Sequence, residues 1–476
     1  MRSRTDGDGT GGAGTGGSST GGTGTGGAGT AGTGTGGAGT GGSGTGGAGT
    51  GGGDTGGTAG TGGSELGGNP GFGGSSGAGG VTGPTDCSSA VAPYEVSVTP
   101  VSGSPVPVID GFHWGGEYTN LPVAIGPDGV AYVGLSFDDG GTLHTGVVAE
   151  TGGGTIVDVS GARIGAFTTT SDGFGLLLFE PVEVDQRRWA SVGRYGTNGQ
   201  ELFNVDLFRS ANLDDLETRG EPATGRIEYL TSDDELLAYF GHTNRFPDDP
   251  GVRHEGGYVA TVDSAGAIQV HGDWFGSHNL DQRIDVRTAD DVLLLGLGDA
   301  YPEGVFADRL ADNVNPQVLN GILSAQLGDM VPLSDRRVIT LIGGYSFWDV
   351  SVDDGAPTAA QLGLMTLPTD GGLGLLSINY LPTTPEAGGR MTYLKSAPYG
   401  PGDLILLAWK EREAQGSPAT FYTMVVDADG NVCQPKQTLD GQYEFLGDDF
   451  AVRPNGEIVW ANAQGGQVNL VTLTPG

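Results

Sequence analysis

Four of the six histidines in this 476-residue chain, His242, His254, His271 and His278, fall in one short segment that also holds Glu255, Asp273 and Asp281. Imidazole and carboxylate groups ligate divalent metals and move protons near neutral pH, so metal-assisted hydrolysis or elimination would be sought here first. His242, His254, His271 and His278 are the candidate metal ligands. If adjacent hairpins bring them to one rim, His254, Trp274, His278 and Asp281 form the candidate ligand-binding set. The plainer reading is that neighbours in a meander are close because they are connected, and that histidines beside turns satisfy backbone carbonyls. Beyond such a divalent metal, the residues specify no cofactor.

Other patterns fall away on inspection. HEGGY begins like the zinc-protease motif HExxH, but Tyr258 stands where the second histidine belongs, and two glycines suit a strand more than a helix. GxSxG occurs at Gly17–Gly21 and Gly73–Gly77, in sequence too glycine-rich to build the strand, turn and helix that would expose a serine nucleophile. The remainder has neither a P-loop nor a strand-borne GxGxxG, so nucleotide hydrolysis and dinucleotide redox chemistry find no support. Asp-Asp pairs recur at 138–139, 214–215, 233–234, 248–249, 290–291, 353–354 and 448–449, yet no full calcium-loop series accompanies them. They read as turns and solvated edges, where charge also discourages strand pairing between chains. DADG at Asp427–Gly430 comes nearest to a calcium loop. Aromatics gather in FHWGGEY (112–118), GDWFGSH (272–278) and YSFWDV (345–350), and could stack on sugar rings or wedge sheets together.

The elements that must position these groups are set by composition and repetition. Residues 1–83 are almost wholly Gly, Thr, Ala and Ser, and bury too little to offset the entropy of ordering a glycine-rich backbone. They are expected to form a disordered tether ahead of one domain spanning 84–476. Irregular glycine spacing and scarce proline exclude collagen. The formal charge is −35, and the leader contributes two arginines against four acids, which leaves about −33 on the remainder. Such a surface repels phosphate backbones and anionic headgroups, so nucleic acid is not an expected partner. No apolar stretch is long enough for a membrane-spanning helix. Cys87 and Cys433 are the only cysteines, and in an exported protein they are expected to form one disulfide. The start, MRSRTDGDGT, lacks the apolar core of a signal peptide, so export implies a start further upstream or a trimmed leader.

From residue 84 onward, short turn clusters are followed at once by apolar runs. GPDGVAYVGL (126–135), TSDGFGLLLF (170–179), TSDDELLAYF (231–240) and TADDVLLLGL (288–297) come first. LSDRRVITLI (333–342), YGPGDLILLAW (399–409) and RPNGEIVWAN (453–462) complete seven units. Asp, Asn and Gly tolerate the turn conformations, and an Asx side chain can bond the backbone two residues on. Taking Asp128, Asp172, Asp233, Asp290, Asp335, Gly402 and Asn455 as equivalent, the gaps are 44, 61, 57, 45, 67 and 53 residues. These bracket the roughly 40–50 residues of a propeller blade plus insertions. Runs apolar on consecutive residues belong to strands covered on both faces, as in stacked blades. The expected fold is therefore all-β, a seven-bladed β-propeller, with six or eight blades or a β-sandwich as alternatives. YEVSVTP (94–100) could close the ring by supplying a strand to the last blade.

These units make the chain resemble the extracellular β-propellers of bacteria, and the leader resembles the Gly/Thr-rich tethers of their surface lipoproteins. No WD signature accompanies the units, and no cysteine precedes Cys87 to carry a lipid. The resemblance implies an exported or cell-surface monomer that presents a binding or adhesive surface to an extracellular polysaccharide or protein. The alternatives are a secreted metal-dependent hydrolase or lyase using the His242–His278 segment, and a structural envelope protein.

Overall fold

A computed structural model describes Cys87 and, from residue 91, the strands and turns of the ring. Residues 1–86 and 88–90 lie outside the described residues, as do 110–111, 114–115, 118, 181–188, 210–224, 247–248, 273–280 and 289. So do 300–302, 311–316, 321–325, 344–360, 369–371, 383–389, 401 and 413–417. The expected leader therefore falls outside what the structure describes.

Seven four-stranded antiparallel sheets follow one another along the chain as the blades of a propeller. Their innermost strands are Val123–Ile125, Arg163–Thr169, Gly225–Leu230, Asp281–Thr288, Gln326–Pro332, Arg390–Pro398 and Ala451–Val452. Each repeated turn joins an innermost strand to the strand outside it, so the seven turns share one end of the ring, here the lower end. Innermost strands begin at the opposite, upper end. The turn chemistry is as the residues dictate: Val130 N donates to Asp128 Oδ1 (3.0 Å) and Glu457 N to Asn455 Oδ1 (3.2 Å), each two residues on. In both turns the following glycine, Gly129 or Gly456, takes a positive φ.

The strand after each turn is buried on both faces: every residue of Gly173–Phe179 and Arg337–Gly343 is buried. Alternate residues serve different neighbours. Leu236, Ala238 and Phe240 pack toward the second blade, while Leu237 and Tyr239 pack toward the fourth. Each of the seven apolar clusters formed by the described residues lies between two adjacent blades, and one joins the seventh to the first. The core is thus a ring of seven interfaces. Polar groups staple the lower end: Arg194 bridges Asp172 and Asp234 at 2.8 and 2.7 Å, and Ser334 Oγ donates to Asp403 at 2.8 Å.

The last blade takes its outermost strand from the start of the domain. Glu95–Pro100 pairs antiparallel with Gln467–Thr474, running from Glu95 opposite Thr474 to Pro100 opposite Asn469. This joins the two ends of the domain and covers an edge that would otherwise be open. Just ahead of that strand, Cys87 is disulfide-bonded to Cys433 in the outermost strand of the sixth blade, Val432–Leu439. Among the described residues no helix is long and apolar enough to cross a membrane.

Candidate functional site

The charged side chains that meet inside the ring come from five blades. Arg226 and Glu228 stand on Gly225–Leu230, Asp281 and Arg283 on Asp281–Thr288, Asp329 on Gln326–Pro332, and Lys395 on Arg390–Pro398. Asp448 and Asp449 precede Ala451–Val452. Arg226, Asp281 and Arg283 lie toward the upper ends of their strands, Glu228, Asp329 and Lys395 near the middle of theirs, and Asp448 and Asp449 just ahead of the last innermost strand. Asp449 is the hub: its carboxylate meets Arg226 Nε at 2.5 Å, Lys395 Nζ at 3.3 Å and Arg283 Nε at 3.8 Å. Because Arg226 belongs to the third blade and Asp449 to the seventh, this pair bridges the axis. Arg283 also reaches Asp329 Oδ1 (3.2 Å), Asp281 and the Leu327 carbonyl. Asp448 accepts from the backbone N–H groups of Asn120 (3.0 Å) and Leu121 (2.8 Å), tying the seventh blade to the approach of the first.

Two irregular strands aim the central groups. In the fifth blade the ladder skips between Leu327 and Met330, which sets Gly328 and Asp329 opposite Thr340 alone. In the sixth it skips between Thr392 and Lys395, and Tyr393 adopts a left-handed φ of 56°. A bulge re-aims a side chain that regular pleating would place elsewhere, and both bulges deliver a charged residue to the axis. Gly328 is required there, because a Cβ would lie 2.0 Å from Thr340 Oγ1. Asp329 is then held by Ser396, whose N–H donates to Oδ2 at 2.8 Å.

Removing carboxylates from water favours their neutral form unless cations compensate. Asp329 is pushed up to about 7 by burial and by the charge of Asp449, against the pull of Lys395 and Arg283. Burial also raises Asp448 to about 6, opposed by its two backbone donors. Glu228 rises well above the carboxylate range through burial and the nearby charges of Asp285 and Asp449. Burial would raise Asp449 as well, but Arg226, Arg283 and Lys395 together hold it well below the usual value. Its side chain remains 33% accessible, so the enclosure is open beside the hub. The arrangement can hold a proton and can offer both signs of charge to a polar ligand.

Of the candidate metal and ligand-binding residues singled out from the sequence, the structure describes the side chains of His271 and Asp281, and these two lie apart. Asp281 belongs to the axial cluster, bound to Arg283 and accepting from Leu327 N at 3.3 Å. His271 is buried in the outermost strand of the third blade, Ile268–Gly272, with Nε2 3.0 Å from Thr261 Oγ1. His242 and His254 occupy paired strands of that blade, opposite Gly256 and Asn244 respectively, and their side chains lie outside the described residues. Trp274 and His278 lie outside them altogether, as do the side chains of the three aromatic clusters. Among the described residues no group of three His, Cys, Asp or Glu side chains could hold a metal ion. The carboxylate of Asp427, in DADG, accepts from the N–H groups of Asp429 and Asn431, so it shapes a hairpin turn.

No protein-family model matches the chain, and no curated protein does. Among solved structures it is similar to the hydrazine synthase of Kuenenia stuttgartiensis, at 14% identity over 76% of this chain and 98% of that one, with a TM-score of 0.44. It is also similar to a protein of unknown function from Dyadobacter fermentans (10% identity, 69% of this chain, 98% of that one, TM-score 0.35). A third is the β-propeller domain of the Trilobed protease from Pyrococcus furiosus (10% identity, 67% of this chain, 81% of that one, TM-score 0.35).

The residues that sequence reading missed are Arg226, Glu228, Arg283, Asp329, Lys395, Asp448 and Asp449. Two signals were present. Gly328-Asp329 interrupts an apolar strand, the pattern of a bulge, and Asp448-Asp449 is an acidic pair that precedes an innermost strand instead of sitting in one of the seven turns.

Proposed function

We propose that this chain is an exported or cell-surface propeller that binds an extracellular polysaccharide or protein without catalysing a reaction, using the charged axis of its ring. What supports this reading is the convergence of charges from five blades on an axis left open beside Asp449. A rigid ring that fixes donors and acceptors before a ligand arrives loses little entropy on binding. The disulfide suits an oxidising compartment. The hydrolase or lyase alternative has its two described members apart, since His271 is in an outermost strand and Asp281 on the axis.

Retention of the full chain on polysaccharide and cell-wall fractions tests the proposal. Wild type is expected to be retained without releasing soluble products, and Asp449→Asn, which removes the ionised hub beside the opening, to be retained at least about tenfold less. Equal retention of the two would remove the axial site from the account. Release of products, or loss of binding with a chelator, would replace it with the metal-dependent enzyme.

A further inference from the structure

Among the described residues the axial charges do not balance. Three cations, Arg226, Arg283 and Lys395, face five acids, Asp281, Asp329, Asp448, Asp449 and Glu228, while Asp285 is taken by Arg337. Two uncompensated negative charges in an enclosed space are costly, and carboxyl groups relieve that cost by keeping protons. Asp329 and Asp449 are the pair placed to do so. Both approach Arg283 Nε, at 3.2 and 3.8 Å, so one guanidinium nitrogen draws the two carboxyl groups together. Two ionised carboxylates do not share such a position, whereas a carboxyl donating to a carboxylate does. The bulge at Gly328 fixes one partner, and three cations fix the other.

We propose that the axial cluster is a proton-operated lock, in which Asp329 and Asp449 share one proton and the charges gathered on the axis hold the blades most firmly while it stays. The fourth blade turns Arg283 and Asp281 toward Asp329, and the sixth turns Lys395 and the Ser396 N–H. The approach to the seventh supplies Asp449, and the third reaches the pair through Arg226 and Glu228, both beside Asp449. From its own blade, the Thr340 hydroxyl donates to the Asp329 carbonyl at 3.2 Å. Loss of the proton leaves Asp329 and Asp449 competing for Arg283 and Lys395 and repelling each other. The proton leaves to water beside Asp449. The inference concerns regulation of the site proposed above, and its test uses no ligand, so failure of the lock and failure of axial binding are separate results.

Infrared difference spectra of the full chain between about pH 5 and pH 8 read protonated carboxyl groups directly. Wild type is expected to lose the signal of one more protonated carboxyl group than Asp329→Asn does, and its melting temperature to fall more steeply over the same interval. Identical difference spectra for the two proteins would overturn the lock. If Asp329→Asn does not fold, Asp448→Asn decides, because it removes the other carboxyl that burial raises into this interval: an unchanged carboxyl signal from that variant across the interval also overturns the lock.

Discussion

The Cys87–Cys433 bond is the covalent part of ring closure, and its removal has a size that follows from where it sits. The two cysteines are 346 residues apart, so in the unfolded chain the bond closes a loop almost as long as the domain. Loop-closure entropy for that length gives a ceiling of about 6 kcal/mol at 25 °C. The measured cost should be lower, about 2–4 kcal/mol, because the six-residue ladder of Glu95–Pro100 still closes the last blade when the bond is absent. For a domain of this length a loss of about 3 kcal/mol lowers the melting temperature by about 4 °C. The double variant Cys87→Ser, Cys433→Ser should therefore unfold at lower guanidinium concentration than the oxidised wild type, and reduced wild type should match the variant. Hydrogen exchange should quicken first in Glu95–Pro100 and its partner Gln467–Thr474, because that pairing loses its anchor. A denaturation midpoint unchanged by reduction, with exchange in the closing strand equally slow, would refute the reasoning.

Other consequences follow from the axial groups. Glu228 sits above its unfolded proton affinity, so the folded protein keeps a proton that the unfolded chain releases, and stability falls as pH rises above the ordinary carboxylate range. Glu228→Gln removes that loss and should be more stable than wild type to urea at about pH 8, the two converging near pH 4. Gly328→Ala places a methyl group against Thr340 and should cost about 1–3 kcal/mol in denaturant melts while shifting the infrared carboxyl signal of the axial pair. Trp409 is fully buried and donates from Nε1 to Glu411 at 2.7 Å, so Trp409→Ala should lose about 3–5 kcal/mol, or the soluble fold, in the same melts.

The fold was legible because it is written locally. Each of the seven turns carries its own Asx or Gly signal, and the run after it is apolar on consecutive residues because both faces are covered. Even the closing strand was readable, since YEVSVTP stands alone ahead of the first unit. The axial cluster was not legible in the same way. Arg226 and Asp449 are bonded yet 223 residues apart, and nothing near either residue announces the other. The histidine segment had the opposite character: its members cluster in sequence, but a blade spreads consecutive strands outward from the axis by about 4.8 Å per strand. His271 on the outermost strand of the third blade and Asp281 on the innermost strand of the fourth are ten residues apart in the chain, yet three strand spacings apart in distance from the axis.

A double-mutant cycle on Arg226→Met and Asp449→Asn tests most directly the claim that charges from separate blades meet on the axis. Residues that touch across the ring should be coupled by about 1–3 kcal/mol in equilibrium unfolding. Additive effects, with coupling within about 0.5 kcal/mol of zero, would place the two residues out of contact and contradict the account.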